Sequence, residues 1–282
     1  MARRPTVSIV GCGRVGGAIG LALRAAGYEI TAVWSQSRAG RQRAHRLLDA
    51  PVLEPAAVAA AGDVVFLSVS DDAIADMAKQ IAPGVRKGKY VVHTSGGVSV
   101  STLQPALRAG AHVGSIHPLQ TIPDAVTGAE ALRGAAVAVT CEPKDRQALH
   151  RIARAWGGQP FVLSDEDKSI YHAAAIFASN YVVSTLWAAT ELLRSIGIRT
   201  PAPLLEPLVR TSVDNFFATG PAKAITGPVV RGDTGVVRRH IADLKKADHP
   251  TGDRIRSTYR SLARLTAALA GTDPDVIEKA TA

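Results

Sequence analysis

The chain has 282 residues, 46% hydrophobic and 20% charged, enough to bury one large core or two medium ones. That composition excludes a disordered or fibrous chain, and two cysteines, Cys12 and Cys141, make neither a disulfide framework nor a four-cysteine zinc site. The net charge of +9 is spread along the chain, densest from Arg38 to Arg46; with 5% aromatic residues and no DNA-binding motif it reads as solvated surface, and no nucleic-acid partner is expected.

The first residues carry no apolar signal-peptide core. Apolar stretches are expected to be interrupted before the ~18 to 20 residues of a bilayer span, so the expectation is a cytoplasmic protein with no membrane partner. Short β-branched runs then recur at Val7–Val10, Ile30–Trp34, Val64–Val69, Tyr90–His93, His112–Ile116, Ala136–Thr140 and Phe161–Leu163, separated by alanine-rich segments. Strands alternating with helices imply crossover connections, and continuous apolar runs imply strands buried on both faces. The prediction is an α/β fold: a doubly wound, Rossmann-type parallel sheet over residues 1–164, followed by an all-helical domain over 165–282.

The first run leads into Gly11-Cys12-Gly13-Arg14-Val15-Gly16, a GxGxxG at the junction of a strand and an amphipathic helix. Gly11 allows the turn, Gly13 lets a pyrophosphate approach the backbone, and Gly16 allows close helix packing, while the helix start offers N–H groups to the anion. Cys12 reads as a small filler. The second run ends Trp34-Ser35-Gln36-Ser37-Arg38 with no acidic residue for an adenosine 2′-hydroxyl, and Ser35 with Arg38 suits a 2′-phosphate. NADP(H) is therefore the predicted cofactor. After the third run, Ser70 and Asp71 suit a helix cap, and backbone near Val69 and Ser70 is expected to line the dinucleotide site.

The next two runs end in His93-Thr94-Ser95-Gly96-Gly97 and Ser115-Ile116-His117-Pro118, at the sheet end where ligands of open α/β sheets bind. Asp165 to Ile196 reads as one long, buried, apolar helix. On it His172 and Asn180 lie about 80° apart around the axis, at ~100° per residue, so both border one cleft. Pro201, Pro203, Pro207, Pro221 and Pro228 are expected to punctuate shorter helices, before an amphipathic run from Asp253 to Leu269. In Thr226–Asp233, Arg231 is read either as an internal ion-pair partner of Asp233 or as a clamp on a substrate carboxylate.

His-Thr-Ser-Gly-Gly at 93–97, Ser-Ile-His-Pro-Leu at 115–119, Ala-Ser-Asn-Tyr at 178–181 and Thr-Gly-Pro-Val-Val-Arg-Gly-Asp at 226–233 resemble the bacterial family that pairs a Rossmann-like NADP-binding domain with a helical DUF2520 domain. More distantly the chain is similar to the 6-phosphogluconate and β-hydroxyacid dehydrogenases, ketopantoate reductases and pyrroline-carboxylate reductases. There a helical domain completes the site and builds a dimer, so a homodimer is expected. Those relatives place a lysine one turn before the helix asparagine to protonate the reduced oxygen; this chain has Ile176 there.

The expected activity is hydride transfer from NADPH to a small, anionic oxo acid, most specifically 2-dehydropantoate. An imine reductase and a non-catalytic dinucleotide sensor or assembly protein are the alternatives. Ser95 with the Gly96 and Gly97 backbone is assigned to the substrate carboxylate, Asn180 to the carbonyl oxygen and His117 to the proton, with His172 in reserve.

Overall fold

In a computed structural model, residues 3–246 and 252–273 are described. The order is β1 (Val7–Val10), α1 (Arg14–Ala25), β2 (Ile30–Trp34), α2 (Arg38–Leu48), α3 (Pro55–Ala61), β3 (Val64–Leu67), α4 (Ile74–Ile81), β4 (Tyr90–His93), α5 (Gln104–Arg108), β5 (His112–Pro118), α6 (Ala125–Ala131), β6 (Ala136–Cys141), α7 (Arg146–Ala155) and β7 (Gln159–Val162). Helices follow: α8 (Lys168–Ala178), α9 (Asn180–Ser195), α10 (Pro201–Thr219), α11 (Pro221–Ala224), α12 (Thr234–Lys246) and α13 (Gly252–Ala270). All seven expected strands form.

The sheet order is β2-β1-β3-β4-β5-β6-β7. From β1 the chain moves out to β2 and then returns to the other side of β1 for β3. The loops after β1 and β3 therefore flank a topological switch point, where such sheets open a crevice. Alternate strand residues feed two cores. Val7, Ile9, Phe66, Val92 and Ile116 pack with Ile19, Leu23, Leu149 and Ile152 on one face, and Val10, Val65, Leu67 and Val91 pack with Val58, Ile74, Ile81 and Leu103 on the other. This is the doubly wound packing that continuous apolar runs demand.

Two strands depart from the parallel expectation. β6 runs antiparallel to β5, pairing Ser115 with Thr140 and His117 with Ala138, and β7 is parallel to β6. β7 is an edge strand whose Phe161 and Val162 are exposed, against the expectation of burial on both faces.

Two compact units divide at Ser179/Asn180, fifteen residues beyond the expected 164/165 boundary. The reason is α8. Its Lys168 is 1% exposed and donates to Ser95 O at 3.1 Å and Ser115 Oγ at 2.7 Å, which ties the helix start to the sheet. The expected single helix from 165 to 196 is two helices, broken where Ser179 adopts φ −127° and ψ −76° and its hydroxyl donates to Ala175 O. His172 and Asn180 thus lie on different helices, and the angular argument relating them fails. The expected interruption of apolar stretches fails too: by length and composition alone, Lys168–Ser195 is long and apolar enough to cross a membrane.

In the helical unit, Pro201 and Pro203 sit in the first turn of α10 and Pro207 lies inside it, so these prolines do not divide the segment. α12 and α13 form a small core of Val237, Ile241, Ala263 and Ala267 with Val229. α9 contains no buried residue, contrary to the burial expected of it. Residues 274–282 of the expected 165–282 domain lie outside the described residues.

Candidate active site

The glycine loop forms the turn that its sequence requires. Gly11 has φ +95°, and a Cβ there would lie 2.4 Å from Ser68 O; a Cβ on Gly16 would lie 2.2 Å from Gly11 O. Both positions are closed to side chains by backbone. A Cβ on Gly13 would meet nothing within 4 Å, so the loop is open on the side where α1 presents the unpaired N–H groups of its first turn. The Cys12 N–H is not among the free donors, because it donates to Ser35 Oγ at 3.2 Å. The Cys12 thiol is buried, and burial pushes its pKa up to about 12, so it is inert filler.

Ser35 is itself buried and braces the glycine loop from the end of β2. Ser37 caps α2 by accepting from Gly40 N, and Arg38 opens that helix exposed to solvent. Arg41 lies over the Trp34 ring, 5.9 Å from its centroid, and pairs with Glu54 at 3.5 Å. Ser70 stands at the start of the turn after β3, but its side chain makes no cap bond; Ala73 N donates to its carbonyl instead.

A cavity of about 480 Å³ joins these loops to the ends of β4 and β5. It is lined by Arg14 and Val15, by Ser68, Val69, Ser70 and Asp71, by Thr94, Ser95 and Gly96, and by His117 and His172. All of them belong to the unit that ends at Ser179. Ser95 is held from several sides: its N–H donates to His93 Nδ1, its hydroxyl accepts from Gly97 N and Val98 N, and its carbonyl accepts from Lys168. The Gly97 N–H is therefore spent inside the loop and is not available to a substrate carboxylate, contrary to expectation. Gly96 is closely embraced. A Cβ there would lie 2.8 Å from His172 Nδ1 and 2.9 Å from His117 Cε1 and Nε2.

The two imidazoles meet edge to face, with centroids 6.0 Å apart. His117 Nδ1 is 2.8 Å from Tyr171 Oη, while the buried His172 Nδ1 has no hydrogen-bond partner. A buried, unpaired ring nitrogen costs ~1 to 3 kcal/mol, and a ligand in the cavity would relieve that cost. Burial, with His172 and Lys168 adding to it, holds His117 down at about 4, and burial holds His93 down at about 3. Both rings are neutral at pH 7. Burial lowers the Lys168 ammonium to about 8 and raises the Tyr171 phenol to about 12.

Lys168 and Tyr171 escaped the sequence reading. Lys168 left one signal: it heads a run without Asp, Glu, Lys or Arg that lasts from Ser169 to Thr190. Asn180 and Arg231 belong to the helical unit and are exposed there, so Asn180 is not the buried amide expected of an apolar helix. Asp233 accepts from Val236 N at the start of α12, a capping role in place of the ion pair considered for it.

Residues 1–118 match the Rossmann-like domain, and residues 135–266 match the domain of unknown function DUF2520. The chain joins a Rossmann-like domain to a DUF2520 domain. The second match begins before β6, so β6, α7, β7 and α8 fall within the DUF2520 segment. No curated protein matches the sequence. Among solved structures, the Bacteroides fragilis protein BF3122, provisionally designated an NADP oxidoreductase, superimposes with TM-score 0.79 at 22% identity, covering 94% of this chain and 98% of that one. An imine reductase from Myxococcus stipitatus in complex with NADP+ gives TM-score 0.71 at 16% identity, covering 98% and 99%. Protein TM1727 from Thermotoga maritima gives 0.69 at 23% identity, covering 94% and 98%. At these identities the shared property is the fold.

Proposed function

We propose that this Rossmann-like/DUF2520 protein is an NADP(H)-dependent reductase of a small carbonyl or imine compound, working as a homodimer. The observation that carries the reading is that one cavity is lined both by the open glycine loop and by two histidines that close around Gly96. The residues fit a dinucleotide: Gly13 is open where a pyrophosphate would lie, and Arg38 is free on α2 for a 2′-phosphate. A bound reduced nicotinamide supplies a hydride. His117 orients and polarises the substrate oxygen or nitrogen, His172 offers a second ring nitrogen beside Gly96, and the N–H of Gly96 with the hydroxyl of Ser95 is left to orient an acidic group.

Small oxo acids, 2-dehydropantoate foremost, are the substrates we favour. Cyclic imines are the second class, supported by the imine reductases among the similar folds. A purely sensory role is less consistent with a buried ring nitrogen left unpaired in the cavity. NADPH oxidation across a panel of 2-oxo acids and cyclic imines tests the reading. His117→Ala and His172→Ala, measured for turnover and thermal midpoint, then separate chemistry from packing. Loss of a proton-transfer group lowers turnover by roughly 10² to 10⁴, whereas a packing histidine moves the midpoint. Full turnover in both variants would reject the site.

A further inference from the structure

We propose that the proton for reduction comes from the Tyr171 phenol, relayed through a His117 that stays neutral throughout. The inference deepens the reductase reading and rests on it. Tyr171 Oη lies 2.8 Å from His117 Nδ1, and the two rings meet edge to face at 5.5 Å. The opposite edge of the imidazole, Cε1 and Nε2, lies along Gly96 in the cavity wall. The ring thus has one nitrogen on the phenol and the other beside the place where a substrate would sit.

An imidazolium is a poor candidate for the donor. His117 is buried, and it faces Lys168 and His172 from α8, with His93 on the neighbouring strand β4, where His93 pairs with Ser115 of β5. Burial and the positive charge of Lys168 both disfavour a cation there, which matches the depressed pKa. A neutral imidazole that gave up its Nε2 proton alone would become an imidazolate, which is too basic to persist. With the phenol attached the step balances. The hydride adds to the carbon, and the π electrons of the double bond become a lone pair on oxygen or nitrogen. That lone pair takes the Nε2 proton while the Tyr171 proton moves to Nδ1. The products are the reduced substrate, a neutral imidazole of the other tautomer and a tyrosinate. Tyr171 is only partly buried, so water returns its proton. A phenol raised to about 12 still lies well below an alkoxide, so transfer runs downhill.

Nitrogen-15 NMR of the imidazoles in the intact protein tests the starting state without any turnover. The expected form of His117 is the neutral Nε2–H tautomer, with Nδ1 accepting and its shift changed in Tyr171→Phe; an Nδ1–H tautomer or an imidazolium at pH 7 overturns the relay. In kinetics, Tyr171→Phe should lower kcat by roughly 10²-fold or more with KM for NADPH unchanged. The wild-type rate should not fall between pH 5 and 7, because the proton is stored on the phenol. A rate that drops tenfold per pH unit over that range, or a Tyr171→Phe variant with full kcat, rejects it. Turnover with the wrong tautomer fails the relay alone, whereas NADPH binding with no turnover on any substrate fails the reductase reading and the relay with it.

Discussion

Keeping two imidazoles neutral has a thermodynamic cost in acid. His93 and His117 titrate at about 3 and 4 in the folded chain and near 6.5 when unfolded. Below pH 6.5 the unfolded chain therefore binds protons that the folded chain refuses, and stability falls with pH until the folded rings also protonate; above 6.5 neither contributes. Each ring adds a slope of about 1.4 kcal/mol per pH unit within its window. His117→Gln should flatten the dependence of the thermal midpoint on pH between 6.5 and 4, and equal slopes for variant and wild type would count against a neutral His117. Arg38, free at the start of α2, gives a separate expectation: Arg38→Ala weakens NADPH by roughly 10- to 100-fold and barely alters NADH, because one charge-assisted bond to a phosphate is worth ~1.5 to 3 kcal/mol. Equal losses for both cofactors in a binding titration would reject the 2′-phosphate assignment. His117 was legible because it stands at the end of an apolar run before a proline, and His172 because it interrupts an apolar helical segment. Tyr171 and Lys168 were not, since a phenol or an amine in a helix gives no hint of the partner that folding supplies.

At the scale of elements, strands could be read and their direction could not. A run such as Ala136–Cys141 is equally apolar in either orientation, and its connection from β5, residues 119–135 with α6, is long enough for a parallel crossover, so neither announces that β6 returns antiparallel beside β5. The break between α8 and α9 was hidden for a similar reason: Ser179 is compatible with a helix, and no glycine or proline marks the point where the backbone departs. Capping is more local and gives a cleaner expectation. Asp124 accepts from Val126 N and Thr127 N at the start of α6, the helix that packs along α1 behind the glycine loop. Asp124→Ala should cost about 1 kcal/mol in a denaturant titration with cofactor affinity little changed. No loss of stability would mean that the cap is redundant.

For the whole molecule, the apolar face of the helical unit sets the expectation. Val183 on α9 is 67% exposed, Leu208 and Phe217 on α10 are 66% and 80% exposed, and a groove of about 570 Å³ between the two helices is lined largely by apolar groups. A second copy of the chain is the economical cover for such a surface. Light scattering at micromolar concentration should give twice the chain mass, and Phe217→Glu should shift the protein toward single chains; a wild-type protein of single mass would reject the homodimer. The position of the division at Ser179/Asn180 carries a different consequence, one of inheritance. Because α8 stays with the sheet, Lys168, Tyr171 and His172 travel with the glycine loop and with His117 as one block. Recombination at 179/180 would give the block a new helical partner while conserving its proton-handling groups, whereas a crossover at the last strand, near residue 164, would strip them out. A chimera joined at the first point should keep its histidine tautomers and one joined at the second should lose them, so the block that handles the proton ends one helix later than its sheet.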